Sequence, residues 1–119
     1  MPRFLVHIHT GPADPNKATL GCLVALTAAR KGHEVTVFFA GDGVHLLAPD
    51  HAGLEGAGTG RLGDHLTGLA EAGARFRVSG MSAKARGYDD GLLEDHPAEF
   101  AMPEVLVDLA HAADTVLGY

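Results

Sequence analysis

Val78-Ser79-Gly80-Met81-Ser82-Ala83-Lys84-Ala85-Arg86-Gly87 takes an apolar strand end directly into small residues, hydroxyl groups and two cations. A strand that passes straight into a helix is the repeating unit of a parallel α/β sheet. At the carboxyl edge of such a sheet the following helix aims unpaired backbone N–H groups at whatever lies over the strand. Arg86 adds a planar fork of donors, so the turn from Ser79 to Arg86 reads as a place for a small anion or a polarised sulfur or oxygen atom. Serine and glycine at this point are also what an ordinary helix cap needs, and nothing in the run demands catalysis.

Working outward, Ala74 to Val78 supplies the strand that enters the turn, and Leu62, Leu66, Leu69 and Ala70 form the apolar stripe of a helix that Gly73 ends. Glycine-rich Asp50 to Gly60 has no apolar period and reads as a mobile loop. Before it, Glu34 to Ala40 is a β-branched and aromatic strand, followed by Gly41-Asp42-Gly43 and a short helix from Val44 to Ala48 stopped by Pro49. Arg3 to His9 alternates Phe4, Val6 and Ile8 on one face with Leu5, His7 and His9 on the other. Asp14-Pro15 opens a helix carrying Leu20, Leu23, Val24 and Thr27, which Arg30-Lys31-Gly32 closes. Downstream, Tyr88 to Pro97 reads as a loop with a helical turn and Glu99 to Ala101 as a brief strand. A helix follows from Pro103 with Val105, Leu106, Leu109, Ala110 and Ala113 apolar, then a last strand from Thr115 to Tyr119. Strands alternating with helices imply right-handed crossovers and a parallel sheet covered on both faces. Thr10-Gly11-Pro12, Gly41-Asp42-Gly43 and Ser79 to Arg86 then face one crevice, with Asp42 either capping its helix or orienting a donor.

At 119 residues the chain, 1–119, reads as a single domain. No apolar stretch is long enough to cross a bilayer and no secretory leader precedes the first strand, so a cytoplasmic location is expected. Nine basic against fifteen acidic side chains leave a formal charge of −6, which argues against a nucleic-acid partner. A lone cysteine makes no internal disulfide.

Other motifs carry less. Gly58-Thr59-Gly60-Arg61-Leu62-Gly63 has the letters of a dinucleotide fingerprint, but neither a preceding strand nor an acidic residue about twenty positions on supports it. His7 and His9 project to one side of a strand and, with His45 after the neighbouring strand, are candidates to start a metal site. Half-buried, hydrogen-bonded histidines are the alternative, and no metal or cofactor is expected. Cys22 lies inside the first helix, away from any feature that stabilises a thiolate, and reads as a packed thiol.

The Thr10-Gly11-Pro12 turn with its helix, Phe39-Ala40-Gly41-Asp42-Gly43, Gly80 to Gly87 and Glu99-Phe100-Ala101-Met102-Pro103 together resemble the DsrE/DsrF/DsrH-like (TusD-like) sulfur-metabolism family over nearly the whole chain. The resemblance implies a three-layer α/β/α fold around a five-stranded, mainly parallel sheet, and assembly into oligomers, a homo-trimer or homo-hexamer above all. It also implies that sulfur-carrying members hold a persulfide on a cysteine at the end of the third main strand. Here that position is Ser79, and a hydroxyl cannot carry sulfane sulfur. The first expectation is therefore an accessory protein that binds a small anion, a sulfur-containing ligand or a sulfur-relay partner through Thr10, Gly11, Asp42, Ser79, Gly80, Met81, Ser82, Ala83 and Arg86. The alternatives are a sulfurtransferase or other enzyme using Cys22 or Ser79, and an oligomeric scaffold with a vestigial pocket.

Overall fold

Alternating apolar residues make β1 (Arg3–Ile8) a strand with two buried sides, Val6 and Ile8 on one and Leu5 on the other. The computed structural model describes residues 2–119. After β1, α1 (Pro15–Arg30) begins where the Asp14 carboxylate accepts the Lys17 N–H at 3.1 Å and Pro15 takes the first turn. It ends at Lys31 with Gly32 in the left-handed region at φ 91°. Then come β2 (Glu34–Phe39), a 3₁₀ segment (Gly41–Leu47) and a 3₁₀ turn (Pro49–His51). The chain continues through β3 (Glu55–Gly56), β4 (Gly60–Arg61), α2 (Leu62–Glu71) and β5 (Arg75–Ser79). Last are α3 (Gly80–Ala85), a 3₁₀ turn (Asp90–Leu93), β6 (Ala98–Ala101), α4 (Pro103–Ala112) and β7 (Thr115–Gly118).

The main sheet runs β6-β5-β2-β1-β7 with every neighbouring pair parallel. Val6, Val37, Phe39, Phe76 and Val78 bury one face against Ala18, Cys22 and Ala25 of α1 and Leu62, Leu66 and Leu69 of α2. Each such large apolar side chain contributes about 1.5–3 kcal/mol on burial. Leu5, Phe38 and Ala101 on the opposite face pack beneath Val105, Leu106 and Leu109 of α4. From β1 to β6 the chain steps one way across the sheet, and α4 carries it back over the other face to β7. Reversing direction and face together keeps the crossovers of one hand. The expected three-layer α/β/α architecture with five parallel strands is present. Among the described residues no helix is long and apolar enough to cross a membrane.

Two local expectations are corrected. Residues 50–60 are not a featureless loop: β3 and β4 pair antiparallel, with Gly58 and Gly60 at φ 75° and 83° allowing the tight return. The hairpin is fixed to α1, Thr59 Oγ1 lying 2.6 Å from Thr19 Oγ1 and the Ala57 N–H donating to Asn16 Oδ1 at 2.7 Å. Strands of two residues are too short to show an alternating pattern, so composition alone reads as loop. The segment after β2 is 3₁₀ rather than α and starts earlier, at Gly41, with Ala40 as its cap and no side-chain cap bond. Asp42 therefore sits inside the first turn and does not cap it.

Candidate functional site

The three turns at the carboxyl edge of the sheet are joined by direct contacts. A Cβ on Gly11 would lie 2.6 Å from the Asp42 carbonyl oxygen, and one on Gly43 would overlap the Ile8 carbonyl oxygen, so two glycines let the first two turns meet backbone to backbone. The third turn is joined by hydrogen bonds. The Gly41 N–H donates to Ser82 Oγ at 2.9 Å, and the Arg86 Nε–H donates to Asp42 Oδ1 at 3.0 Å. Arg86 also donates through Nη1 to the Ser82 carbonyl at 3.1 Å. Arg86, expected to offer its fork of donors to an anion at this turn, thus lies against a carboxylate and a carbonyl of its own chain.

Ser79 ends β5 and caps α3, its Oγ accepting the Ser82 N–H at 3.1 Å. Ala83 is buried under the short helix, whereas Met81 is 58 % exposed. Beside Gly80 a cleft of about 300 Å³ opens between α3 and the start of α4, walled by Phe100, Ala101, Met102, Glu104 and Val105. Met102 is 50 % exposed, so two thioethers stand near the strand end that carries Ser79. Thr10 and Gly11 stand at the other side of the edge, on the turn that leads into α1.

Cys22 is wholly buried, and loss of solvation pushes its thiol up to about 12. A thiol so held is un-ionised at neutral pH and does not act as a nucleophile. His7 and His9 stand with ring centroids 5.2 Å apart. Burial first, and the neighbouring His9 second, hold the His7 imidazole below its ordinary 6.5, and among the described residues the buried His7 Nε2 has no hydrogen-bond partner. His45 lies instead against His51 and Tyr88. Among the described residues no three histidine, cysteine, aspartate or glutamate side chains converge to hold a metal ion.

A second cleft, of about 340 Å³, is walled by Gly11, Pro12, Ala13, Asp42, His45 and His51. His45 Nδ1 is 2.6 Å from the Tyr88 hydroxyl. His51 and Tyr88 were not singled out from the sequence. The eight histidines were a signal, but only the folded chain shows which of them share a wall.

One family model, that of the DsrE/DsrF-like family, matches residues 3–119. The chain belongs to the DsrE/DsrF-like family. Its fold is similar to the crystal structure of the YchN protein from E. coli, with a TM-score of 0.81 at 15% identity and 100% of each chain covered. It is also similar to a conserved Bacteroides thetaiotaomicron protein of unknown function, with a TM-score of 0.71 at 12% identity, covering 98% of this chain and 94% of that one. At such identities the likeness is one of fold. No curated protein matches the chain.

Proposed function

We propose that this DsrE/DsrF-like protein is a non-carrier accessory of sulfur metabolism in the cytoplasm. It receives a small sulfur-containing ligand, or the sulfur-bearing segment of a relay partner, in the cleft beside Ser79. The observation that carries this reading is the serine itself: a hydroxyl at the strand end, committed to the Ser82 N–H, beside a cleft edged by an exposed thioether. Thioethers are soft and adaptable and suit a polarizable sulfur ligand or a partner loop. The anion branch of the expectation is weaker here, because Arg86 is held by Asp42 and the Ser82 carbonyl. An enzyme reading lacks a nucleophile, since Cys22 is buried and un-ionised and the Ser79 hydroxyl meets a backbone N–H rather than a base.

Incubation with a low-molecular-weight persulfide, followed by mass spectrometry of the intact chain and its peptides, tests the reading. The wild type should take up no sulfur at Ser79 or Cys22. Ser79→Cys should gain one sulfur atom: its thiolate attacks the donor's sulfane sulfur, the donor S–S bond breaks and the donor thiolate leaves. Sulfur on Cys22 of the folded wild type, or a Ser79→Cys thiol that stays unmodified while a free thiol reacts, rejects it.

A further inference from the structure

We propose that the cleft between the β1–α1 turn and the two 3₁₀ turns after β2 binds a small organic molecule by an oxyanion head group, with His45 and His51 as its donors. This site is separate from the cleft beside Ser79 and does not rest on the reading given for it. Several observations converge. The two imidazoles share one wall, ring centroids 6.3 Å apart and edge to face at 71°. Tyr88 engages His45 at Nδ1, which fixes the ring and leaves Nε2 as the nitrogen for a ligand. Such a fixed ring loses little freedom when a ligand arrives.

The carboxylate in the wall, Asp42, faces the Arg86 guanidinium at 3.0 Å, so its charge is compensated and does not repel an anion. A metal ion is not favoured, because no three ligating side chains converge among the described residues. The volume of about 340 Å³ falls at the low end of ligand cavities, roughly 300–1,000 Å³, and exceeds what a bare oxyanion fills. Pro12 and Ala13 give the remainder of the molecule an apolar wall. Around the two imidazoles stand Asp42, paired with Arg86, Asp50 next to His51 in the chain, and the Tyr88 hydroxyl. Near the β1–α1 turn, Asp14 is engaged by the Lys17 N–H. An imidazole N–H that meets an oxyanion makes a charge-assisted hydrogen bond.

Titration calorimetry with inorganic phosphate, thiosulfate and phenyl phosphate tests this. Phenyl phosphate should bind most tightly. His45→Gln and His51→Gln should each weaken it by about tenfold or more, the loss of one charge-assisted hydrogen bond. Tyr88→Phe, which frees the ring without removing it, should cost severalfold and keep the fold. In the wild type, NMR should show the His45 and His51 ring signals moving saturably with phenyl phosphate, which needs no variant to fold. No saturable binding of any of the three probes, or equal affinity in the His45→Gln variant, overturns the proposal. Tighter binding of thiosulfate than of phenyl phosphate also overturns it, because the organic part would then contribute nothing. Sulfur uptake by Ser79→Cys is a separate readout, so the two sites stand or fall independently.

Discussion

Arg86 faces a carboxylate inside its own chain, and its first effect is to join the turn after β5 to the turn after β2. Its side chain is 29 % exposed and that of Asp42 65 %, so solvent screens the pair and its worth is about 1 kcal/mol or less. Arg86→Ala should therefore lower Tm by a few degrees. Arg86→Lys should recover part of the loss, since an ammonium keeps the charge without the fork. A double-mutant cycle with Asp42→Asn, followed by thermal melts at low and high salt, measures the coupling; additive single effects would remove it. His7 gives a second prediction. Its imidazole is held below the ordinary 6.5 in the folded chain, so between that value and its lower folded value the unfolded chain binds more protons. Stability rises with pH across this window: the contribution is present above about 6.5 and is lost as pH falls through the folded value. His7→Gln should flatten the acid side of the stability profile in urea melts between pH 5 and 7, and an unchanged slope would show that other groups set it.

Helix ends, strands and the glycines that stop helices were legible because their causes are local. Asp14 with Pro15, and the left-handed Gly32 and Gly73, act within a few residues of themselves. The unread features are joined over distance. Asp42 meets Arg86 across 44 positions and His45 meets Tyr88 across 43, and no periodicity within either segment records such a partner. For that reason Asp42 reads as a cap and Arg86 as a free cation until the turns are brought together. The candidate turn at Ser79 was legible from the strand-to-helix transition alone, whereas the histidine cleft needed the fold. The glycines of these turns give an element-scale test. Gly43→Ala drives a Cβ into the Ile8 carbonyl, and Gly11→Ala places one 2.6 Å from the Asp42 carbonyl, so the backbone must shift in each. Both variants should lose about 1–3 kcal/mol. Gly53→Ala meets nothing within 4 Å and should be neutral or slightly stabilising by denaturant unfolding. Equal stability of all three would mean that the turns are not packed this closely.

The whole molecule covers its two sheet faces unequally. One face lies under α1 and α2, while the other has α4 alone, and α4 has no fully buried residue despite packing Val105, Leu106 and Leu109 against the sheet. Val107 on this helix is 66 % exposed, and Val116 is 50 % exposed beside Leu5 in the register of β1 and β7. A sheet with both edge strands open and one face thinly covered gains by association, because burying apolar area contributes about 25 cal/mol per Å². The expected outcome is self-association through the α4 face, with light scattering at micromolar concentration giving a mass well above the 12.4 kDa of one chain. Val107→Glu places a charge on the outward side of α4, away from the monomer's own core, so it should shift the mass toward one chain while leaving far-UV circular dichroism unchanged. Wild-type protein that scatters as a single chain removes the prediction. A Val107→Glu variant that stays associated moves the contact to the edge strands, where Val116→Lys in β7 would then be the variant to measure.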